Sequence, residues 1–171
     1  QSEREARIRT ILDAVGLPGT HLDLYPHEIS GGQQRRVGLA RILTLHPKVV
    51  ILDEPTSGLD VSVQATVLSL FRSLRETFQL TYIFISHDLA VVRMMCSRVA
   101  VMYLGRIVEM GPTDAIFDRP RHPYTKSLLA AIPRIGGARV TRDFWLRGEP
   151  PDPGNLPSGC RFRTRCPKAA D

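Results

Sequence analysis

Ile8, Ile11, Leu12 and Val15 recur at helical spacing before Gly16 and Pro18, which predicts an amphipathic helix with a normal stop. A loop runs on through Pro26. Ser30, Gly31 and Gly32 then open a stretch, Gln33 to Leu45, that is rich in helix formers and interrupted only by Gly38, so a second helix is expected there. Lys48 to Leu52 is a short apolar run between Pro47 and Pro55, the pattern of a strand buried on both faces. Val63, Val67, Leu70, Phe71, Leu74 and Phe78 fit one face of a third helix, and Leu80 to Ile85 reads as a second buried strand. Val99 to Leu104 and Ile107 to Met110 predict a hairpin with Gly105 at the first turn position. Beyond Pro112 the pattern changes to short helical segments, Thr113 to Phe117 and Tyr124 to Ile132, and then to a tail of Gly, Pro and Arg.

Strand, helix, strand in that order implies an α/β fold with a parallel sheet, and in such sheets ligands gather beyond the carboxyl ends of the strands. The first strand ends in Asp53-Glu54 and the second in Ser86-His87-Asp88. Two carboxylates at the end of an apolar strand fit a divalent cation or a phosphate-bound water, while a strand end reaching solvent explains them equally. Ser30-Gly31-Gly32-Gln33 at a helix start offers a hydroxyl, unshielded backbone amides and a positive dipole end, which together suit an anion. An ordinary serine cap with glycines easing a turn is the simpler alternative. His87 is placed to touch a phosphate or to serve the fold alone.

The chain has 171 residues with 43% hydrophobic and 23% charged, ordinary values for a domain with a sizeable core. No apolar run is long enough to span a membrane, and the charged N-terminus is not a signal peptide. The net charge of +6 raises nucleic acid as a partner, but most of the excess lies from Arg134 onward, in a segment that also holds Pro150, Pro151, Pro153, Pro157 and Pro167. That composition favours an irregular extension over a recognition helix. Three cysteines, Cys96, Cys160 and Cys166, cannot pair into a secreted disulfide framework. Cys96, among apolar neighbours, reads as a small core residue.

Order and spacing add more than any single segment. Ile29-Ser30-Gly31-Gly32-Gln33-Gln34-Arg35-Arg36-Val37, Val49-Val50-Ile51-Leu52-Asp53-Glu54-Pro55-Thr56, Ser57-Gly58-Leu59-Asp60 and Ile85-Ser86-His87-Asp88 resemble, in sequence order, the ATPase subunits of ATP-binding cassette (ABC) transporters. The resemblance covers residues 1–112 and implies a P-loop NTPase-like nucleotide-binding domain, with a separate extension over 113–171. It implies ATP and Mg²⁺ as ligands: Asp53 on magnesium through water, Glu54 polarising the attacking water, His87 on the γ-phosphate. Ser30, Gly31, Gly32 and Gln33 would clasp the ATP of an opposing subunit, and Asp60 would reach across that dimer.

The family's P-loop, Gly-x-x-x-x-Gly-Lys-Ser/Thr, is absent, since the only lysines are Lys48, Lys126 and Lys168 and none follows Gly. With Gln1 opening directly into a helical pattern, the chain is expected to be the C-terminal part of a normal subunit, inactive by itself.

Met102 to Pro112, Arg121-His122-Pro123-Tyr124-Thr125-Lys126-Ser127-Leu128-Leu129-Ala130-Ala131-Ile132-Pro133 and Gly159-Cys160-Arg161-Phe162-Arg163-Thr164-Arg165-Cys166-Pro167 are similar to the oligopeptide/dipeptide importer branch. The resemblance implies uptake of peptides or a related small solute such as nickel. Its implied partners are a second ABC ATPase, identical or paralogous, membrane permeases and a substrate-binding protein, placing the subunit peripherally on the cytoplasmic face of the membrane. It further implies an iron-sulfur cluster in some members, held by Cys160, Cys166 and cysteines beyond Asp171; two free thiols are the other reading. A nucleic-acid-linked ABC ATPase would share the signature but not the His-Pro-Tyr-Thr and Cys-Arg-Phe segments, so no nucleic acid is expected. A non-catalytic interaction or regulatory fragment is the remaining alternative.

Overall fold

The computed structural model describes residues 2–132 and 148–169. Arg134, Arg139, Arg142 and Arg147, which supply much of the expected charge excess of the tail, lie outside the described residues. The chain forms two compact units, Gln1–Ile85 and Ser86–Asp171.

In the first unit, helix α1 (Ser2–Ala14) packs against α2 (Gly31–Leu43). Ile11, Leu12, Val15, Ala40 and Leu43 are buried. Helix α1 stops as its sequence predicts. Gly16 takes φ +71°, its N–H donates to the Asp13 carbonyl at 2.9 Å, and the Leu17 N–H donates to Leu12 at 2.9 Å. This is a Schellman closure, with Leu12 and Leu17 both buried beside it. Residues between the helices form two 3₁₀ turns, Gly19–Asp23 and Pro26–Glu28.

Strand β1 (Val49–Asp53) pairs in parallel with β2 (Thr81–Ile85), register Val49 to Thr81 through Asp53 to Ile85, and α3 (Val61–Phe78) connects them. The parallel β-α-β unit expected from the pattern is therefore present. Helix α3 buries Leu68, Phe71 and Leu74, while Val63, expected on the same face, is exposed. The Tyr82 hydroxyl donates to the Phe71 carbonyl at 3.0 Å, and its ring meets Phe71 edge-on at 6.1 Å. Burial pushes the Tyr82 phenol up to about 12 against the opposing pull of Arg75, so it stays a donor.

The expectation that both strands are buried on two faces needs correction. Val50 and Leu52 are buried, but Val49 and Ile51 are 52% and 64% exposed, and Ile83 and Ile85 on β2 are about half exposed. Successive side chains point to opposite faces of a strand, so Val50, Leu52 and Tyr82 share the covered face, where Tyr82 meets Phe71 of α3, and the face of Val49, Ile51, Ile83 and Ile85 stays open.

The second unit begins with α4 (Leu89–Met95), a single short helix that the hydrophobic pattern did not single out. Strands β3 (Arg98–Tyr103) and β4 (Arg106–Pro112) form an antiparallel hairpin, with an irregularity between Val101 and Met102. The turn differs from expectation. Tyr103 pairs with Arg106, so Leu104 and Gly105 are the two loop residues, with φ +45° and +75°. Positive φ at both central positions is the type I′ arrangement, in which Gly105 stands second and Leu104 takes a conformation ordinarily left to Gly or Asn.

Helices α5 (Thr113–Asp118) and α6 (Pro123–Ala130) follow. Val92, Val99, Val101, Ile116, Phe117 and Leu129 form the core of this unit, and Cys96 packs half-buried against it. Phe162, in the tail, is completely buried. Its ring lies 5.2 Å from Tyr103, 5.5 Å from Tyr124 and 5.6 Å from His122.

Candidate functional site

The Asp53-Glu54 pair sits where β1 gives out. Asp53 is the last strand residue, opposite Ile85, and is exposed. Glu54 leaves the strand with φ +47°, its N–H donating to the Ile85 carbonyl at 3.0 Å and its carbonyl accepting from Ser57 at 3.1 Å. A glutamate in the left-handed region is uncommon and costs about 1–2 kcal/mol. The β2 end and the turn after it hold the residue there. The kink turns the chain abruptly between the two carboxylates, and Gly58 at φ +72° completes the turn toward α3.

Asp60 caps α3. Its Oδ1 accepts from the Ser62 hydroxyl at 2.6 Å, the Val63 N–H at 2.9 Å and the Ser62 N–H at 3.1 Å. The Ser62 hydroxyl is the largest of the influences that hold this carboxyl below the usual carboxylate range.

Ser30 caps α2 in a reciprocal arrangement. Its Oγ accepts from the Gln33 N–H at 3.3 Å, while Gln33 Oε1 accepts from the Ser30 N–H at 2.8 Å. The simple capping reading of Ser30 is therefore correct as local structure. It leaves the glycines unexplained. A methyl group on Gly31 would meet nothing within 4 Å, on Gly32 only the Ser30 hydroxyl at 4.0 Å, and neither has positive φ. Alanine would suit a helix better by about 1 kcal/mol, so nothing within this fold demands glycine at either place. Two bare backbone amides at a helix N-terminus, with open space outside them, form a surface that an anionic group can approach closely.

Two neighbours of this cluster were not picked out as candidates in the sequence. Gln34 Nε2 donates to the Pro26 carbonyl at 2.7 Å and reaches Ile29 at 3.4 Å. Arg36 Nη1 donates to the carbonyls of Val15 and Gly16, each at 3.3 Å. Nothing in residue type or spacing marks these contacts, because both join α2 to segments that precede it by up to 21 residues.

His87 belongs to the second unit, exposed and one residue before Asp88, whose Oδ1 caps α4 by accepting from Ala90 and Val91 at 2.9 and 3.2 Å. In the tail, Cys160 is exposed, Cys166 is half-buried, and neither is in a disulfide. Among the described residues no group of three or more His, Cys, Asp and Glu is placed to share a metal ion. Two thiols fall two short of the four thiolates that an iron-sulfur cluster takes, so the described residues do not by themselves fit that group. Asp53 is different in kind: a single exposed carboxylate at a strand end is the oxygen donor that Mg²⁺ ordinarily takes alongside water and phosphate.

A family model described as ABC transporter matches residues 1–57, and one described as oligopeptide/dipeptide transporter, C-terminal region, matches residues 108–171. A putative peptide import ATP-binding protein of Brucella ovis is 52% identical over 171 residues, all of this chain and 54% of that protein. The oligopeptide transport ATP-binding protein AppF of Bacillus subtilis is 50% identical over 98% of this chain and 51% of its own length. The di/tripeptide transport ATP-binding protein DppF of Pseudomonas aeruginosa is 48% identical over all of this chain and 53% of its own length. The chain thus spans about half the length of the curated relatives it matches. Among solved structures, cbiO1 from Clostridium perfringens, part of the ABC transporter complex cbiONQ, superposes with a TM-score of 0.61 at 34% identity, covering 69% of this chain and 47% of that one. With its first third matched by the ABC transporter model, its last third by the oligopeptide/dipeptide transporter C-terminal model and its whole length aligned with peptide-import ATP-binding proteins at about half identity, the chain belongs to the ABC transporter ATP-binding family, in the branch that carries the oligopeptide/dipeptide transporter C-terminal region.

Proposed function

We propose that this chain supplies the clasp and water-activating elements of an ATPase that drives import of oligopeptides, dipeptides or a related small solute. The observation that carries the reading is Glu54, held at positive φ next to Asp53 at the carboxyl end of a parallel strand, because strain of that kind persists where function requires it. Glu54 orients and polarises the water that attacks the γ-phosphate. Asp53 would hold Mg²⁺ through water, which when bound would supply positive charge against the phosphates. His87 contacts the γ-phosphate.

Ser30, the Gly31 and Gly32 amides and Gln33 close over the phosphates of ATP carried by a second ATPase subunit, and Asp60 faces that partner. Catalysis by such a site is mainly positioning and charge stabilisation. Two such subunits work with membrane permeases and a substrate-binding protein, at the cytoplasmic face of the membrane. Among the described residues no helix is long and apolar enough to cross a membrane.

The test is Glu54→Gln in the full-length protein. Turnover is expected to be lost while ATP-dependent dimerisation persists. Normal turnover would remove Glu54 from the reaction and with it the core of this reading.

A further inference from the structure

We infer that Arg36, assisted by Gln34, is a positioning residue for the phosphate clasp: it fixes the start of α2 to the end of α1 and so sets where Ser30, Gly31 and Gly32 meet a ligand. The inference rests on the clasp reading above and assigns it a part outside the Ser30–Gln33 cluster.

Helix α1 ends with carbonyls that have no partner within the helix, as every helix does, and they carry the negative end of its dipole. Asp13 and Leu12 are satisfied by the Gly16 and Leu17 amides of the Schellman closure. Just past the helix end, the Val15 and Gly16 carbonyls both receive Arg36 Nη1 at 3.3 Å. A planar, permanently charged guanidinium bridging two backbone oxygens restrains direction as well as distance, which an ammonium does not. Gly16 is shaped to admit it. A Cβ there would stand 2.7 Å from Arg36 Nη1, and the φ of +71° already disfavours a side chain. Glycine at position 16 therefore serves the helix stop and the arginine together.

Gln34 works on the other side of the same helix start. By donating to Pro26 and reaching Ile29, it ties the incoming segment down immediately before the Ser30 cap. The chain from Val15 to Ile29 is thus a closed excursion, with its two ends pinned to α2 by residues two positions apart, on roughly opposite sides of the helix. Neither residue needs to touch the ligand. The amides of Gly31 and Gly32 can favour a transferring phosphoryl group only if held to within a fraction of an ångström, and a misplacement of about 1 Å can cost about a hundredfold.

The experiment uses the full-length protein in a Glu54→Gln background, reading ATP-dependent dimerisation beside ATP binding to the undimerised subunit. Arg36→Ala is expected to raise the dimer dissociation constant about tenfold, leaving ATP binding by the single subunit unchanged. Arg36→Lys should recover part of the loss, since an ammonium keeps the charge and the donors but lacks the planar group that fixes their direction. Gly16→Ala should reproduce the defect by displacing the guanidinium, and Gly16→Ala combined with Arg36→Ala should be no worse than Arg36→Ala alone. Gln34→Ala, at an exposed position, gives a milder loss in the same direction and serves if the arginine variant does not fold. Parental dimerisation in a folded Arg36→Ala or Gln34→Ala protein, or strict additivity of the Gly16 and Arg36 changes, overturns the inference. Ser30→Arg in the same background separates the two levels. If it leaves dimerisation intact, the clasp reading itself fails; if it blocks closure while Arg36→Ala does not, only the positioning role fails.

Discussion

Arg161, in the C-terminal segment, donates a hydrogen bond to the carbonyl of Leu104, the first residue of the hairpin turn 57 positions earlier. Its Nη1 also lies 3.2 Å from where a side chain on Gly105 would begin. The Cys-Arg-Phe segment is therefore a fastening: Arg161 seizes the turn and Phe162 fills the space among Tyr103, Tyr124 and His122.

Phe162→Ala should destabilise the second unit by about 3–5 kcal/mol, the usual consequence of emptying a fully buried phenylalanine site. Amide hydrogen exchange checks it, with protection expected to fall in β3, β4 and α6 while α1 and α2 are unaffected. Unchanged exchange in the hairpin would mean the tail is not part of that core.

Leu104→Asn should raise stability by about 0.5–1 kcal/mol, because it converts Leu-Gly into the Asn-Gly pair that a type I′ turn favours. Thermal unfolding measures it. A lower melting temperature would show that the Leu104 side chain contributes more than its backbone conformation costs.

Acid should weaken the second unit in two stages. His122 caps α6 by accepting the Tyr124 N–H on Nδ1 at 3.2 Å, which requires a neutral ring on that side. Burial lowers its pKa from the ordinary 6.5, against the pull of Glu109, so the unfolded chain takes up the proton first and stability falls as pH drops below about 6.5. Glu109 follows. Burial raises its carboxyl, but this is outweighed, and the pKa sits below the ordinary 4.5 because the backbone N–H groups of Arg121 and His122 donate to it at 2.7 and 3.0 Å. The buried Thr125 hydroxyl pulls the same way but stands outside normal hydrogen-bond geometry, so the two amides carry the effect. The stability Glu109 confers is complete above 4.5 and is lost as pH falls below it. In urea titrations from pH 8 down to about 3, His122→Asn, which keeps a cap and does not titrate, should remove the first stage only.

Asp60→Asn and Asp60→Ala should separate cap from contact. Asparagine caps a helix as well as aspartate, so Asp60→Asn should keep the melting temperature while reducing ATP-dependent dimerisation, and Asp60→Ala should lower both. Equal dimerisation by the parent and Asp60→Asn would confine the carboxylate to its own helix.

The parallel β-α-β unit and the order of elements apart from α4 were legible from periodicity, because Val50, Leu52, Phe71 and Leu74 are apolar where the fold buries them, although buried Leu68 was not placed on that helix face. The exposed face of β1 was not, since Val49 and Ile51 are as apolar as their buried neighbours and covering depends on what packs above them. Candidate site positions stood out where chemistry and apolar context conflict, as at Asp53 and Glu54. The supports did not. Arg36 on Val15, Arg161 on Leu104 and Phe162 among three rings are long-range meetings, and no local signal announces them. Leu104 was misassigned because nothing in leucine suggests a left-handed residue.

The backbone of Glu54 has a consequence for how copies of such a gene diverge. Position 54 asks for glycine or asparagine on conformational grounds and, on the role proposed for it, for glutamate on chemical ones, and the present residue is the one that suits the fold less. A duplicate released from hydrolysis, required only to fold and pair, would gain by losing this carboxylate. Position 54 is therefore where a retired paralogue should first depart, while Ser30 and Gln33, whose side chains cap their own helix, should outlast the activity.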